Sequence, residues 1–266
     1  MVNKTMEKAG YICRTEHLSL LDESHQRVYF GNEFCERLIP GREDLQQVAA
    51  WADSHSLPLT LVTPYVTDEG LRSIRRLLEE AGKLNCLDEV VFNDWGVLTL
   101  LEESGERFAP VLGRLLTKQK RGPRILNMME KVPPAMLAHF RRTSADSESF
   151  SSFLRQRGIS RIELDNLLQG IERTSDTPAS LHIPYAYVST TRYCLTAYAG
   201  SENPYFRKIE PCDRQCRRYS FELRNRGMPV ILFLKGNTYF FKNPDLPDNP
   251  EKLRIDRIVE SPVIPM

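Results

Sequence analysis

Residues 59–95 read LTLVTPYVTDEGLRSIRRLLEEAGKLNCLDEVVFNDW. The run LTLVT, Leu59 to Thr63, is short, apolar and rich in β-formers, and Pro64 closes it as a strand. Thr67 or Asp68 can then cap a helix on which Leu71, Ile74, Leu77 and Leu78 share one face. EVVF, Glu89 to Phe92, returns to strand, and Asn93-Asp94 opens a further helix through Leu101. A strand, a helix and a second strand within so few residues form a parallel crossover unit.

The pattern extends in both directions. RVYF (Arg27 to Phe30) is an upstream strand, followed by a helix with Leu45, Val48, Ala49 and Ala52 at helical spacing. FAPVL (Phe108 to Leu112) is a fourth strand. Strand starts near 27, 59, 89 and 108 predict an α/β fold of the (β/α) TIM-barrel type, with 1–266 as a single domain. Further on, SFSSFLRQRG reads as a helix stopped by Gly158, ISRIELD as a strand, and LHIPYAYVST (Leu181 to Thr190) as one continuous strand. PVILFLKGNTYFFKN predicts a C-terminal β-hairpin turning at Gly236-Asn237, and the last residues a short closing element.

Composition narrows the function classes. Of 266 residues, 41% are hydrophobic and 27% charged, as in soluble globular proteins, and the formal net charge is only +1. Such a balance gives no whole-molecule field to steer nucleic acid or anionic membranes, so any binding of that kind needs a local patch. The start has no apolar signal core, and the longest apolar run, Pro229 to Leu234, is too short for a bilayer. The expectation is a cytoplasmic protein without a transmembrane segment, in which thiols stay reduced.

Three of the six cysteines, Cys194, Cys212 and Cys216, crowd into residues 192–218. If residues 212–216 are helical, the CxxxC spacing puts both sulfurs on one face, about 5–6 Å apart at Cβ. Cys194 can return to the same place across a loop containing Gly200 and Pro204. Soft thiolates select zinc, copper(I) or an iron–sulfur cluster. Cys35 directly follows the strand RVYF, as Cys194 follows LHIPYAYVST, and groups just past strand ends gather at one face of such a fold. Cys35 is therefore the expected fourth ligand, while Cys13 and Cys86 read as small core residues. A single CxxxC with two remote cysteines suits a cluster better than the paired short knuckles of structural zinc. Arg192, Arg214, Arg217 and Arg218 could offset the negative charge of four thiolates.

These segments resemble a known family. PYAYVSTTRYCLTAY followed by CDRQC, RVYFGNEFCERL, and VVFNDWGVLTLL together are similar to peptidase family U32, the collagenase-like proteases, and within it to the UbiV-like branch of anaerobic ubiquinone biosynthesis. The resemblance implies a barrel-like fold and a [4Fe–4S] cluster held by Cys35, Cys194, Cys212 and Cys216. It also implies oxygen-independent hydroxylation of a quinone precursor beside a UbiU-like sister subunit. Elsewhere in the family the substrate is tRNA or rRNA, with prephenate the implied oxygen donor. A non-catalytic, zinc-stabilised scaffold is the reading outside that family.

Other residues carry two readings each. Asp94 could orient a substrate at the barrel mouth or simply cap a helix. Tyr65 faces the same presumed rim. His17, His25, His55, His139 and His182 are scattered, and no GxSxG, HExxH or Cys/His protease signature occurs. The basic run KQKRGPR, Lys118 to Arg124, either touches phosphate or is solvated charge.

Overall fold

The computed structural model describes residues 6–105, 107–200 and 212–266. The chain opens with β1 (Glu7–Ile12) and β2 (Arg27–Gly31), then α1 (Arg42–Ser54), β3 (Leu59–Val62), α2 (Asp68–Ala81), β4 (Leu87–Phe92) and α3 (Trp95–Glu103). β5 (Ala109–Leu112), α4 (Pro134–Arg141), α5 (Glu148–Gln156), β6 (Arg161–Asp165) and β7 (Ala179–Ile183) follow. The chain ends with β8 (Tyr185–Thr190), β9 (Phe221–Leu223), β10 (Leu232–Lys235), β11 (Thr238–Lys242) and β12 (Ile255–Glu260).

Eight of these strands close into a parallel barrel in the order β1-β12-β7-β6-β5-β4-β3-β2. This is the expected α/β, TIM-barrel-like fold. Alternation along each strand builds two cores. Val28 and Phe30 of β2 and Val90 and Phe92 of β4 point outward, against Leu45, Val48, Ile74 and Leu77 of the helices. Tyr29 and Val91 point inward, with Tyr11, Val62, Val111 and Val259. Thr67 caps α2, accepting from Gly70 N, and the predicted apolar faces of α1 and α2 are buried except for half-exposed Leu71.

Three expectations change. The barrel begins with β1, before the first strand read from sequence; Lys8-Ala9-Gly10 are poor strand formers, and it is pairing with β2 and β12 that extends them. The stretch LHIPYAYVST is two strands. β7 belongs to the barrel and β8 to a second sheet, with Pro184 between them, where a missing N–H would interrupt any ladder. The hairpin β10–β11 turns at Gly236 as expected, but lies within a four-stranded antiparallel sheet ordered β8-β11-β10-β9. The closing element is β12, which seals the barrel between β1 and β7.

This sheet is inserted between β7 and β12 and covers the C-terminal mouth of the barrel. Beneath it Arg114, fully buried, pairs with Glu33 and with Asp165 Oδ1 at 2.9 Å, and donates to Tyr185 O at 3.1 Å. Arg121 Nε meets Asp165 Oδ2 at 2.5 Å, and its guanidinium lies 4.2 Å from the centre of the Tyr187 ring. Burial alone would raise Asp165, yet Arg114 and Arg121 outweigh it and hold the carboxyl below its ordinary range. Among the described residues, no helix is long and apolar enough to cross a membrane.

Candidate functional site

Cys35 is placed by the turn that leaves β2. Gly31 sits at φ +135, where a Cβ would lie 2.1 Å from Val62 O, so the strand can pass its neighbour only as glycine. The buried Asn32 Oδ1 then accepts from both Phe34 N and Cys35 N at 2.9 Å. Phe34 plugs the mouth between Tyr187 and Phe240, each at 5.3 Å between ring centres.

The other thiols come from the inserted sheet and its loops. Cys194 follows β8, with its sulfur 3.6 Å from Thr196 Oγ1. Cys212 accepts from Arg214 N at 3.4 Å. Residues 212–216 are not an α-helix: Arg214 is left-handed at φ +56, and one 3-10 turn, Gln215–Arg217, follows. That turn still buries Cys216. Most of the loop between Cys194 and Cys212, including Pro204, lies outside the described residues.

All four expected thiols, Cys35, Cys194, Cys212 and Cys216, line one cavity of about 350 Å³. Phe34, Tyr65, Arg192, Asn237 and Met266 complete its main walls. Burial pushes Cys35 up to about 11, and the charges of Cys216, Cys194 and Cys212 add to the effect. Burial likewise raises Cys216 to about 11, reinforced by Cys194 and Cys212 and opposed by Lys235. Cys35 thus feels the charge of the other three thiols and Cys216 that of two of them. Among the described residues, no three His, Cys, Asp or Glu side chains close tightly enough to hold a single ion.

The turn between β10 and β11 ties the walls together. Asn237 Nδ2 donates to Phe34 O at 2.7 Å and Thr191 O at 2.5 Å, and lies 3.1 Å from Tyr65 Oη. Gly236 has φ +61, and a Cβ there would strike Met266 Cε at 2.1 Å and lie 3.4 Å from Cys216 Cβ. Sequence reading missed Asn237, because Gly-Asn in a hairpin reads as turn chemistry alone. It also missed Lys235, whose charge reaches Cys13 and Cys216 and whose pKa is lowered by burial.

Tyr65 lines the cavity, under the Arg192 guanidinium 5.0 Å from its ring centre, and burial raises its pKa. Asp94 does not line it. Its Oδ1 accepts from Gly96 N at 2.8 Å, capping α3, and its Oδ2 accepts from Val66 N at 3.1 Å. Arg192 lines the cavity, but Arg214, Arg217 and Arg218 are exposed. Cys86 sits in the outer core, directed at Ala49 O at 3.8 Å, and Cys13 packs under the barrel mouth, where burial pushes its thiol up to about 12. No histidine is among the cavity's described lining residues.

No protein-family model matches the chain, and no curated protein does. Among solved structures, one titled the structure of the U32 peptidase Mk0906 superposes with a TM-score of 0.50 over 99% of this chain and 95% of that one, at 12% identity. At that identity the likeness is one of fold: this chain has the barrel architecture of a U32 peptidase structure.

Proposed function

We propose that the chain carries a [4Fe–4S] cluster on Cys35, Cys194, Cys212 and Cys216 and takes part in oxygen-independent hydroxylation. The observation that carries this reading is the gathering of four thiols, from both ends of the sequence, around one cavity at the barrel mouth. The donor set fits the group: four thiols line the cavity, with no histidine among its described lining residues. When bound, such a cluster supplies one-electron redox chemistry.

The residues of this chain prepare the place. Cys35 and Cys216 would hold the cluster as thiolates, giving up protons against the raised pKa values that burial imposes. Lys235 offsets part of the thiolate charge. Phe34 and Met266 exclude water from the base of the cavity. Tyr65 stays protonated and is held by Asn237 and Arg192 at the rim, in position to meet a substrate oxygen.

The reaction class rests on the sequence resemblance. A quinone precursor is the substrate we favour, with a UbiU-like sister subunit as partner; hydroxylation of tRNA or rRNA bases is the alternative within that family. Proteolysis is no part of the proposal.

Protein purified without oxygen should be brown, with broad absorption near about 400 nm and about four irons and four sulfides per chain. Cys212→Ala or Cys216→Ala should bleach it. Colourless wild-type protein holding one air-stable zinc would overturn the reading in favour of a scaffold. In a deletion strain, loss of anaerobic quinone with unchanged RNA modification supports the quinone assignment, and the reverse result moves it to RNA.

A further inference from the structure

The basic run after β5 builds a second cavity, of about 750 Å³, that shares no lining residue with the thiol cavity. Lys118, Lys120, Arg121, His139, Arg142 and Tyr187 are among its walls. We propose that this groove binds the phosphate group of a small ligand.

The segment is built rather than draped. Gln119 and Arg121 turn inward and are buried, so the alternating Lys118 and Lys120 turn outward. Gln119 donates to Asp165 O at 3.1 Å and accepts from Asp165 N at 2.7 Å, which fixes the loop against the end of β6. Arg121 Nη2 donates to Arg114 O at 2.6 Å. The opposite wall, α4, is joined to the loop by Gln169 Nε2, which donates to Lys120 O at 2.7 Å and to Phe140 O at 3.1 Å. The cations are therefore presented by a braced frame.

The charge in the groove is unbalanced. Arg121 pairs with Asp165 below it, and Arg142 pairs with Glu172 at 2.6 Å. Among the described residues, Lys118 and Lys120 have no carboxylate partner. The wall's own carboxylate, Asp146, already accepts from Thr143 N and Oγ1 at 2.8 and 2.9 Å and from Thr174 N and Ser175 N at 2.8 and 3.1 Å. Its charge is thus held by four donors from the protein. In a chain of formal net charge +1, this local excess is what an anion would find.

Size and surface favour a small phosphate ester over a nucleic-acid strand. The volume falls within the range of about 300–1,000 Å³ usual for small-molecule sites. Single strands are held by stacking bases on open aromatic faces. Here Lys120 lies 5.8 Å from the Phe140 ring centre, and Arg121 covers Tyr187. The flat surfaces are already occupied by cations.

Calorimetric titration of the full, anaerobically purified chain with pyrophosphate tests the assignment. Saturable binding that weakens as salt rises is expected, reduced by about tenfold or more in the double variant Lys118→Glu, Lys120→Glu. Both lysines are exposed, so the variant should keep its circular dichroism, and its iron content should equal that of the wild type because neither residue touches the thiol cavity. Failure here therefore leaves the cluster assignment standing, and the converse holds. Absence of pyrophosphate binding, or binding unchanged in the double variant, overturns the site. Equal affinity for malonate removes phosphate as the ligand chemistry. Tighter binding of a single-stranded RNA oligonucleotide than of pyrophosphate overturns the small-ligand assignment.

Discussion

The interior of the barrel and the cavity above its mouth are both rich in reactive side chains, and they use them in opposite ways. At the N-terminal end of the barrel, Arg257 meets Glu7 and Glu89 at 2.6 Å each, and Arg27 meets Glu7 at 2.9 Å and Asp88 at 2.6 Å. Tyr29 Oη accepts from Arg257 and donates to Glu163, which also holds His182 at 2.5 Å. Here each charge is answered by a neighbouring side chain, as burial requires. In the cavity Cys35 and Cys216 are held protonated first by burial and then by the charges of the other thiols, against which Lys235 is set at Cys216. A buried network whose members satisfy one another is architecture. A group of thiols that oppose one another's ionisation has no such internal balance.

The largest break in this comparison comes from Arg114, the buried hinge between barrel and sheet. Arg114→Leu leaves Glu33 and Asp165 buried without their partner and should cost about 3–5 kcal/mol in urea unfolding. An effect below about 1 kcal/mol would mean that the pair is not structural. The same network sets an acid limb. Because Asp165 lies below its ordinary range, it contributes stability above the unfolded value near about 4 and loses it as pH falls through the lower folded value. Removing Arg114 should move that acid limb to higher pH.

Asn237 tests the cavity side. Its amide bridges the segments carrying Cys35 and Cys194, so Asn237→Ala should cost about 1–3 kcal/mol and also lower iron per chain and speed bleaching in air. Lost stability with full iron and unchanged bleaching would show that the turn supports the sheet and not the thiols.

The parts of this arrangement that were legible in sequence are those with local causes. α1 and α2 were visible because their apolar residues recur at helical spacing, and β2, β3 and β4 because short apolar runs alternate with those helices. The four thiols stood out by residue type, Cys35 and Cys194 also by their places after strands and Cys212 and Cys216 by their spacing. β1 and the break between β7 and β8 were not legible, because one depends on partners distant in sequence and the other on a change of sheet at Pro184. Arg114 reads as one more cation of a basic run, and only closure of the barrel brings Glu33 and Asp165 to it. Asn237 is hidden in the same way, since its acceptors lie as far as 203 positions away.

Asp94 gives the smallest and sharpest comparison. Sequence allowed it a catalytic or a capping role, and both its oxygens accept from backbone N–H groups outside the cavity lining. Asp94→Ala should therefore cost about 1 kcal/mol, the usual loss for a helix cap. Asp94→Asn keeps one acceptor for Gly96 and should cost less. Val66, which donates to Asp94, also accepts from Arg192 Nη2 at 3.1 Å, so the carboxylate reaches the rim only through this backbone. Iron content should then be unchanged in both variants, with stability falling in the order wild type, Asn, Ala. Asp94→Asn that stays as stable as wild type yet loses hydroxylated product would move Asp94 from the scaffold to the chemistry.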